Sequence, residues 1–264
     1  MLKEADEYDA IIKASSLDDV TLSKHAQTII NAFKVTLPST KHIRSVLRTH
    51  GNPVDFDLFE HADFGFIETT TRHFMVLVES PRNPLLGSIN GRTTAIHTTT
   101  IVLNQLFISF NDVLALYWIE KEHCTTKKRK WDGVIVSVKD QRLSISLVEF
   151  SGGINSNNTQ AKEKHDITKL YNNMVKVIEN IPEEQKKQVF AVRFFSKIRT
   201  FISRSFFCCI PYIRDFILHN DNYIRCEHSK FECPTTARSL LKYVEEVPNM
   251  LKWRDAVVNH ALQN

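Results

Sequence analysis

The chain predicts an α/β protein, and three observations carry that expectation. Residues 131–151 hold two strand patterns joined by a short polar turn. The first is Val134, Ile135 and Val136; the turn is Lys139, Asp140 and Gln141; the second covers residues 143–150. Segments on either side carry apolar residues at helical spacing. Leu103, Leu106, Phe107, Phe110, Val113, Leu114, Tyr117 and Trp118 precede the pair; Ile167, Leu170, Tyr171, Met174, Val177 and Ile178 follow it. Beyond the second helix, residues 189–195 and 198–207 read as another strand hairpin, with Ser196 and Lys197 between them.

In chain order, residues 1–50 are weakly helical. Ser23 is placed to cap a helix reaching Phe33, with Ile29, Ile30 and Phe33 on one face. Thr40 caps a second helix with Ile43, Val46 and Leu47, ending near Gly51. Residues 52–70 mix aromatics with acids. Residues 72–79 contain Phe74, Met75, Val76, Leu77 and Val78, the composition of a buried strand, and Pro81 and Pro84 then break the pattern. Residues 94–123 form the longest predicted helix, with Asn111 and Asp112 as a point of interruption. Residues 151–159 are a polar loop rich in Ser, Gly and Asn. Residues 166–180 form a second clear helix that Pro182 ends. Residues 235–262 are helical, divided at Pro248. Two strands thus lie between the main helices; the third candidate, residues 72–79, lies before the first of them.

Length and composition narrow the class. The 264 residues suit one large domain, or a core with an appended lobe. With 42% hydrophobic and 24% charged residues, the chain is neither disordered nor fibrous. A net charge of +4 tolerates a phosphate-rich partner without demanding one. None of the 7 glycines builds a phosphate loop, which disfavours nucleotide-binding folds of that kind. The 5 cysteines are an odd number, and the opening residues Met1, Leu2, Lys3, Glu4 and Ala5 do not resemble a signal peptide. A reducing intracellular compartment, cytoplasm or nucleus, is therefore expected. No run approaches the roughly 18 to 20 apolar residues of a membrane helix, so no membrane association is expected.

Chemistry concentrates in residues 131–151. Asp132 opens the first strand and Glu149 lies near the end of the second. In an antiparallel hairpin those two ends lie side by side. Two neighbouring carboxylates repel unless a cation sits between them, and hard divalent cations prefer oxygen ligands. Asp132 and Glu149 are the candidate metal ligands. The basic cluster Lys127, Lys128, Arg129 and Lys130 precedes them and is suited to phosphates.

This order of helices and strands, with an acid opening one strand and another acid near the end of the next, resembles the PD-(D/E)XK nuclease superfamily. The core of that superfamily runs helix, three strands, helix, strand. The resemblance covers roughly residues 95–205. It implies a restriction-endonuclease-like core, a mixed sheet flanked by helices, over residues 94–207. Residues 1–93 would be an N-terminal elaboration and residues 208–264 a C-terminal helical tail. It implies further that Asp132 and Glu149 hold Mg²⁺ or Mn²⁺ and that a lysine activates the attacking water. Ser151 stands where that lysine is expected, and Trp131 stands where the superfamily has proline. Some members carry the lysine on the following helix, which makes Lys169 the candidate; Lys162 and Lys164 come earlier. The implied function is cleavage of a phosphodiester in DNA or RNA, or nucleic-acid binding without cleavage.

Plainer roles exist for the same residues. Asp132 before Gly133 suits a turn, and Glu149 suits a partner for a nearby Lys or Arg. The basic cluster suits a solvated loop. Trp131 suits core packing as well as stacking on a base. Cys226, His228 and Cys233, with His219 nearby, are zinc-ligating groups without the spacing of a finger or ribbon. Cys208 and Cys209 sit in an apolar run and are expected to be buried. From a different class, an interaction protein without a metal site would use the helical tail and the aromatic surface.

Overall fold

A computed structural model describes residues 13, 16–86, 91–126, 129–151, 160–201, 204–219 and 221–263; within these, the side chains of 91, 92, 125, 151, 160–163, 195–201 and 204–210 are not described. The chain is an α/β structure built on one six-stranded sheet with helices on both faces.

Among the described residues from 16 onward, three helices come first: α1 (Lys24–Lys34), α2 (Thr40–His50) and α3 (Ala62–Glu79). Ser23 caps α1 as predicted, its hydroxyl accepting from the Ala26 N–H at 3.2 Å. The cap of α2 is Ser39 rather than Thr40, one residue earlier than expected. Residues 72–79 are not a strand but the last turns of α3. The buried positions Phe64, Phe66, Ile67, Thr70, Thr71, Phe74 and Met75 recur at helical spacing, while Val76 is 56% exposed, which a buried strand would not allow.

The long predicted helix is two things. A short helix α4 (Gly91–Ala95) passes through a π-helical turn, Ile96–Thr100, into α5 (Ile101–Phe107). The chain then turns, and β1 (Leu114–His123) begins. Leu114, Leu116 and Trp118 pack into one core while Ala115 and Tyr117 pack into the other, a period of two that the apolar spacing had disguised as helical. β1 is therefore the strand missing from the sequence reading. β2 (Arg129–Ser137) and β3 (Ser144–Ser151) follow, then α6 (Gln160–Glu179) and β4 (Gln188–Phe201).

Strand order is the chain order, β1 through β6. All neighbours are antiparallel except β3 and β4, which are parallel. Parallel neighbours need a crossover, and α6 supplies it. Its stripe of Leu170, Met174, Val177 and Ile178 packs on Trp131, Val134, Val136, Leu147, Val189, Ala191 and Phe216. At about 1.5–3 kcal/mol for each fully buried apolar side chain, this stripe fixes α6 on the sheet with little need for ion pairs.

The second hairpin also extends further than expected. β4 continues to Phe201 and β5 runs Arg204–His219, so residues 196–197 are strand rather than turn. β6 (Asn222–Lys230) pairs with it. Residues 208–219 and 222–230 are thus strand, and among the described residues the expected helical tail is helical only in α7 (Ala237–Gln263). α7 does not divide at Pro248. The proline removes one hydrogen bond, but buried Tyr243, Val244 and Val247 before it and Met250, Leu251 and Trp253 after it hold the helix on the core. α7 packs on the sheet face opposite α6, among Phe190, Val192, Phe194 and the N-terminal helices. No helix among the described residues is long and apolar enough to cross a membrane.

Candidate functional site

Three elements bring Asp132, Glu149 and Lys169 together. Gly133 pairs with Val148 across β2 and β3, which sets Asp132 opposite Glu149 on the face toward α6. Gly133 is required here: a Cβ would lie 2.7 Å from the Trp118 ring, which crosses the strand. Trp118 is held by a bond from its indole N–H to Asn104 Oδ1 at 2.9 Å, and it stacks on Phe150.

From α6 the Lys169 ammonium donates to both oxygens of Glu149, at 2.8 Å each. It also lies 4.9 Å from the centre of the Trp131 ring and 3.5 Å from the Lys130 carbonyl oxygen. Asp132 is half-buried, and its Oδ2 accepts the Phe150 N–H at 2.7 Å. A fixed backbone donor orients that carboxylate. Glu149 is only 8% exposed. Burial pushes its carboxyl up to about 7; the Asp132 and Asp166 carboxylates push the same way, and Lys169 opposes them. The two predicted acids therefore interact electrostatically, and the predicted lysine reaches the buried one.

The donor set suits a hard cation in type, since Asp132 and Glu149 offer carboxylate oxygens. It is small: among the described residues no three His, Cys, Asp or Glu side chains cluster as metal ligands. A cation here would share Glu149 with the Lys169 ammonium.

The neighbouring candidates divide. Arg129 and Lys130 are exposed at the start of β2, and Lys130 pairs with Glu120 at 3.2 Å. Lys127 and Lys128 lie outside the described residues, as does the Ser151 side chain. Trp131 is buried, with its indole N–H on Thr126 Oγ1 at 3.1 Å, so it packs in the core and offers no face to a base. Cys233 is buried and Cys226 half-buried, while His228 Nε2 lies 3.0 Å from Asp215 Oδ1. His228 thus lies beside a buried carboxylate. The side chains of Cys208 and Cys209 lie outside the described residues.

Two charged residues escaped the sequence reading. Arg193, buried in β4, is the register partner of Glu149. Asp215, fully buried in β5, accepts from Gln188 and meets His228. The signal for both was a charge inside an apolar strand run, as it was for Glu149.

Beside the acid pair, β1 is distorted. Its register shifts between Trp118 and Lys121, and Ile119 and Glu120 have φ of 63° and 51°. A β-branched residue rarely adopts that conformation. The bulge carries Glu120 to Lys130, at the end of β2 that holds Asp132. Comparison of this chain with protein-family models, curated proteins and solved structures gives no match.

Proposed function

We propose that the protein is nuclease-like, acting on DNA or RNA through Asp132, Glu149 and Lys169. The observation that carries this reading is the Lys169 ammonium at 2.8 Å from both oxygens of a buried Glu149 that faces Asp132 across the hairpin. The resemblance to the PD-(D/E)XK superfamily supports it. From α5 to β4 the chain runs helix, three strands, helix, strand, the order of that superfamily's core. Lys169 supplies from the helix the cation that Ser151 does not.

In this reading Asp132 and Glu149 hold Mg²⁺ or Mn²⁺. The ion, when bound, acidifies a water and polarises a phosphoryl oxygen. Lys169 places positive charge beside the acids, where negative charge develops as the phosphodiester is attacked. Asp132 keeps its orientation through the Phe150 N–H. Arg129 and Lys130, with Lys128 beside them in sequence, meet flanking phosphates.

The test is cleavage of labelled DNA and RNA with Mn²⁺ and without it. Asp132→Ala and Lys169→Met are each expected to lower the rate about 100-fold or more. Cleavage that survives Asp132→Ala overturns the assignment. Binding of nucleic acid with no cleavage in the wild type selects the non-cleaving form of the same reading. Neither binding nor cleavage selects the interaction module, for which the exposed Phe56 and Phe59 between α2 and α3 provide aromatic surface.

A further inference from the structure

Residues 169 and 171 lie about 200° apart around a helix. Lys169 therefore points to β2 and β3, and Tyr171 lies on the other flank of α6, over β5. The Tyr171 ring stacks on Phe216 at 5.1 Å. Its phenol oxygen accepts from two guanidinium groups, Arg214 Nη1 at 2.6 Å and Arg225 Nη1 at 3.0 Å.

That arrangement leaves charge and a donor unused. Arg214 is matched by Glu227, whose Oε2 lies 3.1 Å from Nε and 2.6 Å from Nη2. Arg225 is exposed, lies over the Tyr171 ring at 5.2 Å, and has no carboxylate within ion-pair reach among the described residues. One carboxylate thus serves two guanidiniums, which a neutral oxygen holds together against their repulsion. A phenol has two acceptor lone pairs and one hydrogen. Both lone pairs face arginine donors, so the hydrogen remains to be donated, and no protein acceptor for it lies among the described residues. The remaining N–H donors of Arg225 and the Tyr171 O–H, beside the positive charge of Arg214, suit an oxyanion.

We propose that Arg225, Arg214 and the Tyr171 hydroxyl form a phosphate-binding subsite that holds a backbone phosphate of a bound nucleic acid. That the phosphate belongs to a nucleic acid rests on the function proposed above. β5 lies two strand spacings from β3, on the order of 10 Å. The subsite therefore engages a phosphate other than the one at the acid pair. It sits on the same helix as Lys169, so a phosphate bound there braces α6 where the helix presents its lysine.

The test is fluorescence anisotropy of labelled single-stranded DNA and RNA without divalent cations, over a salt series, on the full chain. Arg225→Gln is expected to weaken binding about 10-fold and to make the log–log salt slope shallower by about one. Tyr171→Phe removes a neutral donor, so it is expected to weaken binding several-fold with the slope unchanged. Arg225→Lys keeps the charge and is expected to restore the slope with part of the affinity. Unchanged affinity and slope in Arg225→Gln overturn the subsite, even if Mn²⁺-dependent cleavage requires Asp132. If no oligonucleotide binds, inorganic phosphate is titrated by ³¹P NMR. Line broadening lost in Arg225→Gln then upholds the phosphate site while the nucleic-acid reading fails. No broadening in the wild type overturns the site.

Discussion

Glu149 shows how one residue's surroundings set its chemistry. Alone in water it would be ionised well below neutrality; in β3 its carboxyl titrates at about 7 because burial penalises the charge more than Lys169 relieves it. The folded state therefore holds this proton more tightly than the unfolded chain. The resulting stabilisation is fully present below about pH 4.5 and is lost as the pH rises through about 7. Lys169→Met removes the opposing cation and should raise the Glu149 pKa further. At pH 8, one unit above the wild-type value, the charge-dependent loss should reach about 1 kcal/mol, limited because the carboxyl can take up a proton instead. At pH 5 the loss should be much smaller, since Glu149 is neutral in both proteins. Urea midpoints at the two pH values check this; equal losses would mean that Lys169 acts through packing rather than charge.

At the scale of elements, the hairpin β2–β3 depends on what crosses it. In the sequence Gly133 only follows Asp132 at a suspected turn; the reason for a glycine there lies in β1. Trp118 occupies the space of the missing side chain. Gly133→Ala forces the ring or the strand to move, at a cost of about 1–3 kcal/mol. The displaced indole should lose its bond to Asn104, seen as a shift in tryptophan emission alongside a lowered urea midpoint. An unchanged midpoint would show that Trp118 relaxes freely. β1 itself was unreadable by periodicity. Val113, Leu114, Tyr117 and Trp118 fit a helical stripe on paper, whereas in the sheet Leu114 and Trp118 serve one face and Tyr117 the other. Residues 72–79 failed in the opposite sense, because a short apolar run does not reveal its period until its neighbours are included.

Across the whole molecule, two buried titrating groups act in opposite directions. His260 in α7 is buried, packs against Phe190 and titrates at about 4, because burial penalises the charge and Lys186 adds to the penalty, with Asp215 opposing. Its stabilisation is present above the unfolded value of 6.5 and is lost as the pH falls toward 4. Between about pH 4.5 and 6.5 the gain from Glu149 on acidification offsets the loss from His260. Glu149→Gln should remove one side of that balance and uncover a steady loss of stability on acidification through this window. Denaturant titrations from pH 4.5 to 8 measure it; a profile parallel to wild type would place the Glu149 titration elsewhere.

The sequence by itself determined the α/β class, the hairpin of residues 131–151, the α6 stripe, and Asp132 and Glu149 as candidates; Lys169 became one only through the resemblance to the nuclease superfamily. Those features are local: strand alternation, helical periodicity and charge within an apolar run are written in neighbouring residues. It could not show that Lys169 reaches Glu149, because they lie 20 positions apart in the chain and only the parallel pairing of β3 with β4 sets α6 across the site. Nor could it show Arg193 beside Glu149, or Arg214 and Arg225 meeting at Tyr171. Those meetings are matters of register between strands distant in the chain, and register is fixed by the buried faces of the whole sheet.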